Sequence, residues 1–547
     1  MVGPKNKLLE VEGRMNREEQ LASLRSHSFD ILVIGGGATG TGVALDAASR
    51  GLSVALVERD DFGSGTSSRS TKLIHGGVRY LEQAVKHFDR SQFNLVRDAL
   101  HERAVLLRIA PHLSRPLPLV TPLYNWLEVP YYLTGLKLYD WLAGKANLHA
   151  SRFVDASEAL SRFPMLKPEG LRGGVIYYDG QFDDARMNVI IARTAAQQGA
   201  VIANYVEVLS LLKEGGRVRG AQVRDTLTGD RWDLAATVVV NATGPFSDTI
   251  RRMDDAQAAT MLSSSSGAHI VLAGRFSPPG TGLLIPQTED GRVLFLLPWL
   301  EHTLVGTTDH PSPIERHPRA TENDIAYILR HVRKYFAVPV SRDDVLASWS
   351  GLRPLVSDPT AADTAKLSRD HVINISSSGL ITIAGGKWTT YRKMALDTVS
   401  EAQRLGQLGG SRTSQTATLP LVGGANYTPA AAGMLQERFG FDAEVASHLN
   451  QAYGDQAEEV AVLAGDGYSR RLHPHHPYLE AEVIYAARHE AARRTVDVLA
   501  RRTRLGFLDQ AAALAAVPRV AELLGEEFNW SVEQRAGDET DAKAYFG

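Results

Sequence analysis

The sequence predicts an α/β protein built from a parallel sheet near the N-terminus, an antiparallel sheet, and a helical C-terminal domain. First, the strand-like run Phe29–Ile34, an apolar helical segment and a second strand ending at Val57 form a βαβ unit. Second, the segments Val201–Asn241 and Gly267–Thr308 read as strands separated by Gly and Pro turns. Third, the chain beyond Pro429 is rich in Ala, Leu and Arg at helical spacing.

Composition narrows the classes of function. The chain has 547 residues, a formal net charge of −3 and no cysteine. The length exceeds one ordinary domain. Because cysteine is absent, disulfides, thiolate metal sites and iron–sulfur clusters are excluded, so electron chemistry requires a bound organic cofactor or a non-thiol metal site. The near-neutral charge gives no reason to expect nucleic acid as a partner. The His-rich run His473–Pro477 lacks a supporting carboxylate spacing, and we expect no metal.

The turn of the βαβ unit carries a dinucleotide-binding pattern. Gly35, Gly37 and Gly40 fit G-x-G-x-x-G between a strand and a helix. The first Gly makes the tight turn, the second lets the backbone approach a pyrophosphate, and the third allows close helix–strand packing. Glu58 ends the second strand, where its carboxylate can accept hydrogen bonds from ribose hydroxyls. These features predict a Rossmann-type site but leave FAD and NAD open.

The segment after the second strand favours FAD. Residues 65–80 form a loop rich in hydroxyl and cationic side chains. Such a loop can hold a pyrophosphate and approach an isoalloxazine ring, whereas NAD domains rarely need it. Two further Gly-punctuated strand ends, at residues 241–245 and 384–390, would complete the same site. We therefore predict FAD as the cofactor.

The elements divide into three domains, two of them discontinuous. We predict a tail over residues 1–27, an FAD-binding domain from residues 28–105, 178–260 and 345–410, a substrate domain from residues 106–177 and 261–344, and a helical C-terminal domain over residues 411–547.

Several of these segments together resemble the FAD-dependent glycerol-3-phosphate dehydrogenases, which belong to the D-amino-acid-oxidase-like flavoproteins. The most specific are Ser70–Gly77 and Gly385–Arg392, and the matching elements extend from about Phe29 to Thr390. The resemblance implies oxidation of sn-glycerol 3-phosphate to dihydroxyacetone phosphate. It also implies non-covalent FAD and a membrane quinone as the electron acceptor.

The motifs and the resemblance together predict which residues contact the cofactor. The predicted FAD-binding residues are Gly35, Gly37, Ala38, Thr39, Gly40, Glu58, Arg59, Thr66, Ser67, Ser68, Lys72, Leu73, His75, Gly76, Gly77, Gly244, Gly386, Lys387 and Thr389.

The substrate phosphate is a dianion and needs several fixed donors. Arg79, Arg353, Arg369 and Lys387 lie in Gly-rich turns, polar loops or strand ends, where side chains converge on a cleft. A surface ion pair is the alternative for each one. The resemblance supports all four and adds two further residues, Tyr80 and Thr389.

Hydride transfer from the substrate also needs a base for the C2 hydroxyl proton. His269 is our first choice, because it alternates with apolar neighbours in a strand and could face the cleft. A buried structural histidine is the alternative reading. Arg353 would stabilise the developing negative charge on the substrate oxygen.

A quinone acceptor requires contact with a bilayer, and the aromatic-rich residues 123–142 are the candidate surface. The alternative is that these aromatics belong to the core of the substrate domain. The Arg-rich residues 488–504 are a second candidate for contact with anionic lipid; a solvated helical face or inter-domain salt bridges are the favoured alternatives.

No segment has the pattern of a signal peptide or a membrane-spanning helix. We expect a cytoplasmic protein, peripheral on the inner face of the cytoplasmic membrane. The sequence leaves a homodimer open.

Two alternative functions use the same fold. One is an FAD oxidase of glycerol 3-phosphate or an amino acid that passes electrons to oxygen. The other is a flavin-binding regulator without turnover, against which the several cationic turn residues argue.

Overall fold

A computed structural model describes residues 15–77, 90–356, 371–411 and 413–547 of the chain, without the side chains of residues 90 and 91. Its strands, in chain order, are β1 (Phe29–Ile34), β2 (Val54–Val57), β3 (Leu73–Ile74), β4 (Ser114–Leu123), β5 (Arg152–Asp155), β6 (Gly173–Phe182), β7 (Val201–Ala203), β8 (Val206–Glu214), β9 (Arg217–Asp225), β10 (Arg231–Asn241), β11 (Leu262–Ala273), β12 (Gly282–Ile285), β13 (Leu294–Trp299), β14 (His302–Gly306), β15 (His310–Pro311), β16 (Val345–Val356), β17 (His371–Ile375) and β18 (Ile381–Gly385).

The helices, in the same order, are α1 (Arg17–Ser26), α2 (Ala38–Ser49), α3 (Arg90–Ile109), α4 (Glu128–Ala143), α5 (Ala156–Arg162), α6 (Asp184–Gln197), α7 (Ser247–Asp254), α8 (Glu322–Tyr335), α9 (Tyr391–Gly406), α10 (Ala431–Phe439), α11 (Ala443–Tyr453), α12 (Ala457–Leu463), α13 (Glu480–His489), α14 (Thr495–Asp497), α15 (Leu505–Leu508), α16 (Gln510–Phe528) and α17 (Val532–Phe546).

The first sheet has eight strands and confirms the Rossmann-type prediction. Strands β7, β2, β1, β10 and β18 pair in parallel in that order, and β17 adds an antiparallel edge. The central strands are buried along nearly their whole length, as expected for a parallel sheet covered on both faces. On one face α2 packs against both α6 and α9. The carboxyl ends of β1, β2, β10 and β18 therefore meet at one edge, where ligands bind in such sheets.

The second sheet has ten strands in the order β15-β11-β14-β13-β12-β4-β6-β3, with β16 paired to β11 and β5 paired to β6. Within the described residues all its pairings are antiparallel except β4 with β12. The antiparallel substrate sheet predicted from the alternating segments is thus present. The structure places β6 and β16 in this sheet, although β6 crosses the predicted boundary at 177/178 and β16 lies wholly beyond the one at 344/345. We propose that these two boundaries lie closer to residues 182 and 356.

The aromatic segment after β4 forms α4, a helix with two different faces. Leu136, Tyr139 and Ala143 are buried against the protein. Leu127, just before the helix, and Trp141 within it are 83% and 73% exposed. Neither interpretation of this segment, membrane surface or protein core, describes all of it, because one face of the helix is buried in the core and the other is exposed to solvent. No helix among the described residues is long and apolar enough to cross a membrane.

The helical C-terminal domain is confirmed, and buried ion pairs attach it to the nucleotide-binding sheet. Arg501 and Arg502 both reach Asp61, which follows β2, at 2.5 and 2.7 Å. Glu490 pairs with Arg186 of α6 at 2.6 Å. Although burial opposes ionisation of Asp61, the two guanidinium groups hold its pKa at about 2. The inter-domain salt bridges expected as one alternative for the Arg-rich residues 488–504 are therefore confirmed.

Breaking this attachment should be costly. We expect Arg502→Met to destabilise the protein by about 3 kcal/mol, because it removes a buried partner from a carboxylate that stays buried. Arg488→Met is the matched control: its pair with Glu527 is partly exposed, and such pairs contribute about 0 to 1 kcal/mol. Urea denaturation followed by tryptophan fluorescence measures both. Equal losses for the two variants would contradict the assigned importance of the Asp61 pairs.

Candidate active site

A cleft opens at the carboxyl edge of the parallel sheet, and the predicted glycine turn forms its floor. Gly35 has φ +109°, and a Cβ there would lie 2.7 Å from the carbonyl oxygen of Ala242. A Cβ on Gly40 would collide with the carbonyl oxygen of Gly35. Only glycine therefore fits either position, which agrees with the tight turn and close packing expected from the motif.

Glu58 closes one side of the cleft with a carboxylate fixed by backbone donors. Its oxygens accept from the Gly36 amide at 2.6 Å and the Asp60 amide at 2.9 Å. Burial and the neighbouring charge of Asp60 nevertheless raise the pKa of Glu58 to about 7. Glu58 lines the cleft just after β2, and its contact with ribose hydroxyls stays a prediction of the sequence.

The hydroxyl-rich loop and the third strand end close over the glycine turn. The Ser67 hydroxyl accepts from the Ala38 amide at 2.9 Å, and the Trp388 indole donates to the Ser67 carbonyl at 2.8 Å. The Thr389 hydroxyl contacts both the amide and the carbonyl of His75, at 3.2 and 3.3 Å. Three distant segments of the sequence thus form one binding site.

Eleven of the predicted FAD-binding residues line this cleft together, namely Gly35, Gly37, Ala38, Thr39, Glu58, Arg59, Thr66, Ser67, Gly244, Gly386 and Lys387. Gly40 supports it from behind. The remaining predicted contacts lie outside its lining, namely Ser68, Lys72, Leu73, His75, Gly76, Gly77 and Thr389. A glycine floor, a carboxylate just after β2 and backbone amides at the start of α2 fit an FAD molecule.

Several lining residues were not predicted. Phe246 forms one wall, with the Arg59 guanidinium 5.0 Å from its ring centroid. Arg316 and His317 come from a loop that no sequence pattern places at this cleft. Trp388 could have been found, because it lies inside the Gly-Gly-Lys segment that predicted the site.

His269 lies on β11 beside β16, on the face of the sheet that the 66–72 loop crosses. Its Cα partner across the strands is Trp349, and the two rings stack at 4.1 Å. Its Nε2 atom is 3.0 Å from the Thr71 hydroxyl. Burial and the positive charges of Lys72 and Arg353 lower the pKa of His269 well below its ordinary value. The imidazole is therefore neutral at physiological pH and able to accept a proton.

Arg353 lies on the same face of the sheet as Trp349 and His269, because alternate residues of a strand point to the same side and Trp349 and Arg353 are four residues apart on β16. Its guanidinium bonds Asp309 at 2.9 Å and reaches the Thr307 hydroxyl at 3.3 Å. A Cβ on Gly267 would lie 2.6 Å from the guanidinium, so this glycine makes room for it. The structure thus brings Arg353 near His269, with Asp309 holding the guanidinium in place. The other predicted substrate contacts Arg79, Tyr80 and Arg369 lie outside the described residues.

Glu58 should control FAD affinity. We expect Glu58→Gln to weaken FAD binding about tenfold, because a neutral amide accepts hydrogen bonds from ribose less strongly than a carboxylate. Wild-type affinity should fall as the pH drops through about 7, where Glu58 becomes protonated, and the variant should lack this dependence. Titration of apoprotein with FAD, followed by flavin fluorescence, measures both effects. Glu458→Gln, at an exposed pair with Arg438, is the control; a matching loss there would contradict the assignment.

Family models match nearly the whole chain. The model described as FAD dependent oxidoreductase matches residues 30–392. The model described as C-terminal domain of alpha-glycerophosphate oxidase matches residues 414–535.

Known proteins agree with both matches. Human mitochondrial glycerol-3-phosphate dehydrogenase is 54% identical over 530 residues, covering 94% of this chain and 73% of the human protein. The protein of the same name from Macaca fascicularis is 53% identical over 97% of this chain and 75% of its own. The crystal structure of glycerol-3-phosphate dehydrogenase from Bacillus halodurans, complexed with FAD, aligns with TM-score 0.79 and 32% identity over 98% of each chain. The chain therefore belongs to the family of FAD-dependent glycerol-3-phosphate dehydrogenases.

Proposed function

We propose that this protein oxidises sn-glycerol 3-phosphate to dihydroxyacetone phosphate and passes the electrons to a membrane quinone. The observation that carries the proposal is the family relationship, at more than half identity over nearly the whole chain. The cleft supports it, because its glycine floor and carboxylate suit FAD. The cationic residues beside that cleft suit a phosphorylated substrate.

The reaction removes two electrons and two protons from the substrate. The C2–H bond breaks with its electron pair, and the C2 hydroxyl loses its proton as the carbonyl forms. FAD, when bound, supplies the acceptor for the hydride. We assign His269 to accept the hydroxyl proton, since its lowered pKa leaves the ring unprotonated and Trp349 and Thr71 hold the ring in place.

Arg353 and Lys387 would stabilise the negative charges of the substrate. Arg353 lies on the His269 face of the sheet, and its fork can stabilise charge on the C2 oxygen while Asp309 fixes its orientation. Lys387 lines the FAD cleft at the end of β18, where its ammonium can meet an anion. Arg79, Arg369, Tyr80 and Thr389 stay predicted partners of the substrate.

The simplest test is anaerobic bleaching of the flavin absorption band. We expect glycerol 3-phosphate to bleach the band of the holoprotein, and glycerol at the same concentration to do so far more slowly, because it lacks the phosphate that the cations bind. A quinone analogue should then restore the colour. No bleaching with glycerol 3-phosphate would refute the proposal, and rapid peroxide formation in air without quinone would indicate an oxidase instead.

Delivery of electrons to a quinone requires a membrane surface, and we assign this contact to the outer face of α4 and the residues before it. Trp126, Leu127, Tyr131 and Trp141 are all at least half exposed there. Aromatic residues of this kind favour the headgroup region of a bilayer, and exposed Lys137 can reach lipid phosphates. We place the protein on the inner face of the cytoplasmic membrane; a homodimer stays a prediction of the sequence.

Removing these aromatics should release the protein from lipid. We expect the double variant Trp126→Ser/Trp141→Ser to bind vesicles of phosphatidylethanolamine and phosphatidylglycerol at least about tenfold more weakly, because it loses two large apolar contacts. Met434→Ser is the control, since Met434 is equally exposed on α10. Vesicle sedimentation gives the affinities. Unchanged binding by the double variant would place the membrane contact elsewhere.

A further inference from the structure

A fully buried lysine, Lys72, lies one residue after the threonine that contacts His269. Its ammonium donates to the carbonyls of Ser68 and Ser70, both at 3.0 Å, and to Asp184 at 2.7 Å. An ammonium has three N–H donors, and here each one has an acceptor. Burial lowers the pKa of Lys72 to about 7, although the Asp184 carboxylate opposes this shift, so the side chain carries a positive charge at acid pH.

The same lysine contacts the ring on which His269 rests. The Lys72 ammonium is 4.5 Å from the centroid of Trp349, and the Trp349 ring stacks on His269 at 4.1 Å. A cation held against an aromatic ring is attracted by the ring quadrupole, so Lys72 fixes Trp349 as well as the local charge.

The backbone at Lys72 serves the same arrangement. Its φ is +63°, a left-handed conformation that a lysine adopts only when its surroundings enforce it. The Ser70 hydroxyl accepts from the Lys72 amide at 3.1 Å and itself donates to Asp184. This tight turn presents Thr71 to His269 while the Lys72 side chain points into the protein.

We infer that Lys72 is a positioning residue for His269: it sets the place of the imidazole through Trp349 and Thr71 and brings a cationic side chain beside it. The inference rests on the proposed role of His269 in oxidation of glycerol 3-phosphate.

The electrostatic part has a defined sign. A positive charge near an imidazole disfavours the imidazolium, so it lowers the pKa of His269, as Lys72 and Arg353 both do here. The carboxylates nearby act chiefly on other groups, because Asp184 is shared with Arg504 and Ser70 while Asp309 is bonded to Arg353. Among the described residues, the charged groups around the His269–Lys72 pair are Arg353, Asp309, Asp183, Asp184 and Arg504.

The test is the pH dependence of flavin reduction by glycerol 3-phosphate, measured in anaerobic stopped flow with holoprotein. In Lys72→Met the pKa of His269 should rise, so the rate should be lost at higher pH than in wild type. A rise of about one pH unit would make the variant about fivefold slower at the pH where wild type is half-maximal. Lys72→Arg keeps the charge and should leave the acid limb in place. His269→Gln should have no such limb.

The possible results distinguish the proposed function of the protein from the proposed role of Lys72. Failure of glycerol 3-phosphate to reduce wild-type flavin would overturn the proposed function itself. Normal reduction with an acid limb unchanged in Lys72→Met, or moved equally in Lys72→Arg, would overturn only the role of Lys72. Bound FAD and the unfolding midpoint report whether each variant folds. If Lys72→Met does not, Lys72→Met/Asp184→Asn removes the buried pair together and leaves no unpaired carboxylate; the same upward move of the limb is expected.

Discussion

The buried pairing of Asp61 with two arginines is the interaction on which the arrangement of the molecule depends. Asp61 follows β2 and Glu58 at the edge of the FAD cleft, whereas Arg501 and Arg502 belong to the C-terminal domain. A carboxylate without exposure to water is tolerated only when its partners are complete. The helical domain is therefore an integral part of the nucleotide site, although a composition break separates the two in sequence.

The loop between β2 and β3 connects the FAD cleft with the substrate sheet. Its first half closes the FAD cleft through Thr66 and Ser67, and its second half places Thr71 and Lys72 against the substrate sheet. Thr66 also donates to the Leu352 carbonyl of β16, one residue from Arg353. The FAD cleft and the surroundings of His269 consequently share one short piece of backbone.

Local patterns predicted the parts of the molecule that local physics determines. The glycine turn, the two strands around it and the C-terminal helices follow from spacing and propensity, and the structure has them. The register of β16 on β11 could not be predicted, because the pairing joins residues roughly eighty positions apart and local hydrophobic periodicity carries no information about such contacts. The partners of Arg502 and Lys72 were missed for the same reason: a buried charge shows in sequence only as an ordinary polar residue.

The pairing of β11 with β16 also limits how this region can vary among related proteins. His269 faces Trp349, and Ser265 faces Arg353, in an antiparallel register that is continuous from Leu262 to Val271. Adding or deleting a single residue inside either strand would turn every later side chain to the opposite face of the sheet. Substitutions can therefore accumulate along these strands, whereas changes of length are confined to the turns at their ends.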